Sequence, residues 1–273
     1  MTVTPAGAVR EVLKKIDLCT FYVAKYSVQK FGTSLKKSNE RCLIHDSAAS
    51  KWIYWRPFFN VFSVVSDEEG VQKEIQRIKR EFLPYKGPSS WQVGPTSTPT
   101  TIGSKLEQAE YVVKTRWTGM SLPLATGGIN AKQVVDLEIT RVSSEDQLTV
   151  WEGIVREGGL EDVSGLHPLH SKVAVPPNSA LQLFIGCTGD KPAASAAVFR
   201  DGSYLSIFMV ATLPEFRKQG IGSAMTNEAI RLGRSLGCKT AVLQSTPEAV
   251  RMYQELGFEK QCEITNYVIP TSA

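Results

Sequence analysis

The sequence contains few of the patterns that mark membrane or secreted proteins. No run of apolar residues approaches the roughly 18 that are needed to cross a bilayer. Charged residues between Arg10 and Asp17 interrupt the N-terminus, where a signal peptide would need an apolar core. The five cysteines are widely spaced and form no Cys-x-x-Cys pair, which is typical of reduced thiols. We therefore expect a cytoplasmic protein that has no membrane segment.

Charge of one sign and metal ligands are also scarce. The net charge is +4, and Lys and Arg are scattered instead of forming the basic stripe of a nucleic-acid-binding protein. His167 and His170 are three residues apart, but Pro168 lies between them and we identify no acidic or thiol partner for them. A dedicated metal site normally needs three or four ligands. We therefore expect neither nucleic acid nor a metal ion as a partner.

The sequence does contain enough apolar residues for a packed core, 42% of the chain, and these residues alternate between strand and helix patterns. Strands are predicted at 52–55, 58–65, 91–93, 111–113, 120–122, 137–142, 181–187, 193–199, 204–212, 241–244 and 258–269. Helices are predicted at 71–82, 100–108, 148–155, 222–236 and 250–256. Ser66 and Ser143 are the predicted caps of the first and third helices, because each precedes an acidic residue by three positions.

One order of elements, strand, long helix, strand, short helix, strand, occurs twice, beginning at residue 52 and again at residue 204. This repeat predicts two copies of one domain, at 1–125 and 136–273, joined by a Gly-rich linker at 126–135. The copies differ between the first strand and the long helix. The first copy has three consecutive acids, Asp67 to Glu69, at this position. Because acids would repel a phosphorylated ligand, we expect the first domain to be non-catalytic.

The second copy has the sequence Arg-Lys-Gln-Gly-Ile-Gly-Ser, residues 217–223, between its strand and its long helix. Gly220 and Gly222 let the backbone approach a diphosphate, and the first-turn N–H groups of the helix have no intrahelical acceptor. Arg217 and Lys218 add positive charge. No Lys-Ser/Thr pair follows the last glycine and no acid ends the next strand, so a nucleoside triphosphate or a dinucleotide is a poorer ligand.

Two C-terminal motifs resemble the GCN5-related N-acetyltransferase (GNAT) superfamily. One is the R-x-x-G-x-G turn at 217–222, and the other is the closing stretch at 250–258 that contains Tyr253 and ends in Leu-Gly-Phe. The resemblance covers 136–273, whereas 50–124 resembles more loosely the degenerate first half of tandem members. It implies an α/β protein with two tandem GNAT-like domains, each a mixed, mostly antiparallel sheet flanked by helices.

The resemblance also implies acetyl-CoA as the co-substrate and a set of residues that bind it. The diphosphate is expected on the turn, the pantetheine arm along the end of the preceding strand, and a side-chain contact is expected where many relatives have an asparagine. The implied donor-binding residues are Val210, Ala211, Thr212, Arg217, Lys218, Gln219, Gly220, Ile221, Gly222, Ser223 and Ser245.

Tyr253 matches the tyrosine that serves as general acid in the family. The strand 204–210 carries no acid, so the glutamate base of many relatives is missing, and Glu215 is expected to face solvent. We expect transfer of an acetyl group to a primary amine of a small molecule or peptide, by direct attack in a ternary complex, in a monomer or homodimer. The alternative is a non-enzymatic acyl-CoA-binding protein.

Overall fold

The computed structural model of the protein describes residues 5–17, 42–46, 50–55, 58–64, 66–82, 89–126, 136–160 and 167–269. Its helices are α1 (Pro5–Asp17), α2 (Glu68–Phe82), α3 (Ile102–Gln108), α4 (Glu145–Glu157), α5 (His167–Val173), α6 (Ile221–Ser235) and α7 (Val250–Glu255). Its strands are β1 (Cys42–Asp46), β2 (Ser50–Trp55), β3 (Phe58–Val64), β4 (Ser89–Val93), β5 (Val112–Pro123), β6 (Leu137–Arg141), β7 (Leu181–Thr188), β8 (Lys191–Asp201), β9 (Tyr204–Thr212), β10 (Thr240–Ser245) and β11 (Glu259–Val268). None of the helices in the described residues has the length and apolar composition that crossing a membrane requires.

The chain forms two compact units. The first unit consists of Met1–Gly119, Gln244–Pro247 and Lys260–Ala273, and the second of Met120–Leu243 and Glu248–Glu259. The sequence assigns the last strand to the second domain, but Lys260 and the residues after it group with the first unit. The expected linker at 126–135 lies outside the described residues, apart from its first residue. The domain boundaries therefore stay a prediction.

The first unit contains a sheet with the strand order β1-β2-β3-β4-β11-β5. Strands β3 and β4 pair in parallel, from Phe59↔Ser89 to Val61↔Trp91, whereas β1 with β2, β2 with β3 and β4 with β11 are antiparallel. Apolar side chains from α2, α3 and the sheet form the core of this unit. The indole N–H of Trp91 donates to the Tyr111 hydroxyl (3.2 Å), so the largest buried ring in this core keeps a polar partner.

The second unit contains the strand order β10-β9-β8-β7-β6. Strands β9 and β10 pair in parallel from Tyr204↔Thr240 to Ile207↔Leu243, and the other pairs are antiparallel. In both units, therefore, the strand before the long helix pairs in parallel with the strand after it. This shared pairing, together with the mixed sheets and flanking helices, confirms the predicted fold class.

Three local predictions are wrong. The first-turn N–H of Gly70 donates to Asp67 Oδ1 (2.7 Å), so Asp67 and not Ser66 caps α2. Ser144 and not Ser143 caps α4, because its hydroxyl accepts the N–H of Gln147 (3.2 Å). The strands expected at 111–113 and 120–122 are the ends of one 12-residue strand, β5. The residues between them, from Lys114 to Trp117, alternate between exposed and partly buried positions and so continue the strand.

Candidate functional site

A cavity of about 300 Å³ lies where β9 leads into α6 in the second unit. The residues that line it are Thr212, Phe216, Arg217, Lys218, Gly220, Ile221, Gly222, Ser223 and Met252. Most of the predicted donor-binding residues therefore lie together around one concave surface, which we call the cradle. Gln219 lies within the same turn, and Val210 and Ala211 lie just before it on β9.

The backbone of the cradle is shaped by two residues in the left-handed region. Lys218 has φ 62° and Gly220, which precedes the first helical residue, has φ 83°. A residue with a Cβ is strained at such values, which explains a glycine at position 220. The first helical bond runs from the N–H of Ala224 to the carbonyl of Gly220 (3.0 Å). The three N–H groups before Ala224 therefore have no intrahelical acceptor and carry the positive end of the α6 dipole.

Gly222 lies at the wall of the cradle. A Cβ atom at this position would be 3.2 Å from Met252 Sδ and 3.8 Å from Thr212 Oγ1, both of which line the cavity. A methyl group here would therefore enter the space that a ligand of the helix N-terminus needs. Lys218 adds a positive charge to the lining, and its ammonium group has no partner among the residues that the structure describes.

Arg217 has a different environment from the one that its motif position suggests. Its Nε donates to the carbonyl of Thr212 (3.1 Å) and its Nη2 to the carbonyl of Gly158 (2.9 Å). Gly158 ends α4, so the guanidinium joins the end of that helix to the end of β9. Arg217 thus acts as a strut between main-chain segments beside the cradle. Its predicted contact with a phosphorylated ligand stays a prediction.

The end of β9 is distorted by a bulge. The pairing with β8 shifts between Ser195↔Ala211 and Ala197↔Phe208, which leaves Met209 and Val210 opposite Ala196. Met209 has φ 51°, and its carbonyl accepts the buried hydroxyl of Ser195 (2.9 Å). A bulge of this kind changes the direction of main-chain N–H and C=O groups. It does so at the end of β9, where the family resemblance implies the pantetheine arm of the donor.

A second contact fixes the same bulge from the helix side. The indole N–H of Trp151, on α4, donates to the carbonyl of Ala196 (3.1 Å), the residue that faces the bulge. Trp151 is almost completely buried. Its side chain therefore connects α4 to the sheet opposite the bulge.

Tyr253, the predicted general acid, lies on α7 and is only 7% exposed. Its ring packs edge-on against Phe258, with ring centroids 5.8 Å apart. Burial raises the pKa of Tyr253 to about 12, and a hydrogen bond with Thr226 of α6 partly opposes this rise. Thr226 itself donates to the carbonyl of Gly222 in the cradle (2.8 Å). Tyr253 is thus connected to the cradle through Thr226, and its role as an acid stays a prediction.

Ser245, the predicted side-chain contact to the donor, belongs to the short segment that groups with the first unit. It is 1% exposed, and its hydroxyl donates to the carbonyl of Thr246 (2.8 Å). The contact of Ser245 with a donor stays a prediction.

A cluster of two histidines and two glutamates was not predicted from the sequence. His167 Nδ1 lies 2.8 Å from Glu152 Oε2 and His167 Nε2 lies 3.1 Å from Glu145 Oε2, while His170 Nδ1 lies 3.4 Å from Glu152 Oε1. The partners are 15 to 22 residues apart, on α4 and α5, so no local motif reveals them. Among the described residues, no group of three or more His, Cys, Asp or Glu side chains has a geometry that could hold a metal ion.

A larger concave surface, of about 440 Å³, lies along α2 in the first unit. All of its lining residues come from one helix: Gln72, Lys73, Gln76, Arg77 and Arg80. Arg77 forms two hydrogen bonds with Glu74 (2.8 and 2.6 Å) and Lys73 pairs with Glu69 (2.5 Å). Because these charges are already paired along the helix and no second described element encloses the surface, we do not regard it as a binding site.

Comparison with known families gives one match, which lies mostly in the second unit. A model of the Acetyltransferase (GNAT) family matches residues 161–258, which include the cradle, the bulge and Tyr253. This part of the chain is therefore similar to the GNAT family. The match supports acyl transfer in general as the activity of these residues. A search of the curated proteins gives no match.

Solved structures of GNAT proteins share the fold over most of the chain. A GCN5-related N-acetyltransferase from Kribbella flavida has a TM-score of 0.66 and 15% identity, with 91% of this chain and 96% of that chain covered. One from Sphaerobacter thermophilus has a TM-score of 0.63 and 12% identity, with 82% and 77% covered. A tandem GNAT protein from the clavulanic acid biosynthesis pathway has a TM-score of 0.56 and 9% identity, with 82% and 79% covered. At these identities the likeness concerns the fold alone.

Proposed function

We propose that this protein is an N-acetyltransferase that transfers the acetyl group of acetyl-CoA to a primary amine, by direct attack within a ternary complex. The observation that carries the proposal is the cradle. Its cavity lies at a helix N-terminus whose first N–H groups lack intrahelical acceptors. Two left-handed residues, Lys218 and Gly220, shape the backbone beside it. Gly222 leaves space at the cavity wall, and Lys218 adds an ammonium group. Such an arrangement suits the diphosphate of CoA.

The bulge on β9 supports the acyl-transfer part of the proposal. The amine nitrogen attacks the thioester carbon, and the carbonyl oxygen becomes an oxyanion. The N–H of Val210, which the bulge redirects, is our candidate donor to that oxyanion, because fixed main-chain donors stabilise developing charge most effectively. Ser195 and Trp151 hold the carbonyls on either side of the bulge and so restrict its geometry. The C–S bond then breaks, and the CoA thiolate takes a proton for which Tyr253 is the candidate donor.

We propose that only the second domain is catalytic. In the first unit the equivalent helix, α2, begins with its own acids. Asp67 accepts the N–H of Gly70, and Glu68 forms an ion pair with Lys105 (2.8 Å). The hydrogen bonds to Lys105 and then Thr101 lower the pKa of Glu68, so this charge persists at neutral pH. An anionic ligand at this helix start would have to displace a side-chain cap and approach two carboxylates.

Thiol release tests the proposed reaction. Purified protein with acetyl-CoA is incubated with single members of four amine classes: an α-amino acid, an aliphatic diamine, an arylalkylamine and a peptide with a free N-terminus. We expect thiol release that depends on at least one amine, with the acetylated amine detected by mass spectrometry. Protein with Gly222→Ala is the control for the donor site. If no amine stimulates thiol release although CoA raises the melting temperature, the catalytic proposal is wrong.

One observation favours the second candidate, a non-enzymatic acyl-CoA-binding protein. Tyr253 has a pKa of about 12, whereas the CoA thiol resembles an ordinary thiol with a pKa of about 8.5. Proton transfer from this phenol to the thiolate would then be unfavourable by roughly 5 kcal/mol. Binding of CoA together with the absence of turnover, as in the outcome above, would favour this function over catalysis.

A further inference from the structure

The cluster of α4 and α5 contains the most deeply buried acid in the described part of the second unit. The Glu152 side chain is 6% exposed, and both of its oxygens face imidazole rings, one of His167 and one of His170. Glu145 is 59% exposed, and it faces His167 and the hydroxyl of Ser171. A buried carboxylate without charged or hydrogen-bonding partners is very costly, so these contacts determine how α5 packs on α4.

His167 is held between two carboxylates, and this fixes its protonation. Carboxylate oxygens only accept hydrogen bonds, so both ring nitrogens must carry protons in the observed arrangement. The hydrogen bond to Glu152 is the main reason that the pKa of His167 is raised, and Glu145 adds to it. When His167 loses a proton, one of its two bonds must break. The bond from Nε2 to Glu145 is the one that can break, because the exposed Glu145 can be hydrated while Glu152 cannot.

The neutral form of His167 therefore has a defined geometry. Nδ1–H stays on Glu152, and the lone pair of Nε2 faces the exposed side of the cluster, where the His167 side chain is 35% accessible. An imidazole that is oriented by a buried carboxylate and has an accessible nitrogen is a proton acceptor. The other polar groups around it are Glu145 on α4 and His170 and Ser171 on α5, while the nearby Lys172 is exposed.

Helix α4 connects this cluster to the reaction site. Trp151, next to Glu152, bonds the carbonyl that faces the bulge, and its ring contacts the His170 ring edge-on at 5.6 Å. Gly158, at the end of the same helix, is bonded by Arg217 beside the cradle. Glu152 precedes Gly158 by six residues, or about 9 Å along the helix. The cluster thus lies on the helix that contacts Ala196, opposite the bulge, through Trp151 and that ends at the glycine bonded by Arg217.

We propose that His167, oriented by Glu152, is the base that receives the proton of the acceptor ammonium. This inference rests on the proposed function, and it supplies the base that β9 lacks. Nε2 of neutral His167 takes one proton from the protonated amine. The free amine then attacks the thioester carbon, the C–S bond breaks, and the thiolate is protonated. The nitrogen loses its second proton as the amide forms, and this proton replaces the one that the candidate acid Tyr253 gives to the thiolate. His167 returns the first proton to solvent, so the net products are the amide, the CoA thiol and one proton.

The pH profile of kcat/KM tests this assignment with acetyl-CoA and an amine that supports thiol release. Because only neutral His167 is active, we expect kcat/KM to fall as the pH drops through the raised pKa of His167. Glu152→Gln removes the largest cause of that rise while it keeps the shape of the side chain. We expect this variant to move the acidic limb of the profile to lower pH. His167→Gln should lower kcat by about 100-fold or more and abolish this limb.

Glu145→Gln is the matched control, because it changes the exposed partner of the same ring. We expect a smaller displacement of the limb than in Glu152→Gln, because Glu145 is the lesser cause of the raised pKa of His167. The shift in melting temperature that CoA causes should be the same in all three variants, which shows an intact donor site. If wild-type protein turns over but His167→Gln or Glu152→Gln leaves the profile unchanged, the base is not His167. If wild-type protein turns over no amine at any pH, the proposed function fails together with this inference.

Discussion

Replacing Gly222 by alanine separates the role of the cradle in binding from its role in folding. Gly222 is the second residue of α6, and it has no special backbone conformation. The added methyl group would lie 3.2 Å from Met252 Sδ, a contact that is tight but involves a flexible side chain. The substitution therefore leaves the fold intact while it fills the wall of the cavity.

The expected magnitudes differ for stability and for binding. Alanine is favoured over glycine within a helix by up to about 1 kcal/mol, and the tight contact with Met252 offsets part of this gain. The melting temperature should therefore change by no more than about 4 °C. In the cradle, the methyl group displaces anionic oxygens from main-chain N–H groups. Each such charged hydrogen bond contributes about 1.5–3 kcal/mol, so the Kd for CoA should rise by roughly 10-fold to 150-fold.

Calorimetry measures both quantities, with CoA titration for the Kd and thermal scanning for stability. Gly153→Ala is the matched control, because Gly153 lies within α4 and a Cβ there has no neighbouring atom within 4 Å. This control should gain about 1 kcal/mol of stability and bind CoA like the wild type. A folded Gly222→Ala protein that binds CoA with wild-type affinity would refute the assignment of the cradle.

Four further predictions concern Arg217, Ser144 and Tyr253. Arg217→Lys keeps the charge but loses the guanidinium group that bonds two main-chain carbonyls. Thermal denaturation should show that the free energy of unfolding falls by about 1 kcal/mol. An unchanged melting temperature would contradict the structural role of Arg217. Ser144→Ala should cost about 1 kcal/mol in urea denaturation, whereas Ser143→Ala should cost little, and equal effects would contradict the cap assignment. Tyr253→Phe should lower kcat and leave the Kd for CoA unchanged, and a wild-type kcat would exclude the general acid. The pKa of Tyr253 is about 12 in the folded protein and about 10 in the unfolded chain. Its contribution to stability should therefore be complete below pH 10 and be lost as the pH rises towards 12. In unfolding experiments, Tyr253→Phe should lack this pH dependence.

The sequence predicted the elements whose patterns are local. The long helices α2 and α6 show one apolar face, and β3 is rich in aromatic and β-branched residues. The repeated order of elements was enough to predict two similar domains, and the matching parallel pairs show why. In each unit, the chain leaves one strand, passes through a long helix and returns in a second strand that pairs in parallel with the first.

Predictions failed where neighbouring residues had the same chemistry or where the partner was distant in sequence. Ser143 and Ser144 are equally good acceptors, and only the backbone geometry selects the second one. The last strand, β11, pairs with β4, more than 160 residues earlier, and periodicity carries no information about such a partner.

The candidate site shows the same limit. The glycines of the turn were predictable, because a left-handed residue and an open helix N-terminus demand small side chains. The direction of the Arg217 side chain was not predictable, because its acceptors are main-chain carbonyls, which any residue can supply. The pairing of Glu152 with His167 was missed for a related reason. It joins two helices whose approach is set by packing and not by a motif.

The most direct test of the central claim is a crystal structure of the full chain with CoA bound. We predict one CoA for each chain, with its diphosphate against the N–H groups of residues 218–223 and its sulfur near the bulge at Met209 and Val210. A CoA bound elsewhere, or a second CoA at the acidic start of α2, would contradict the assignment of a single donor site to the cradle.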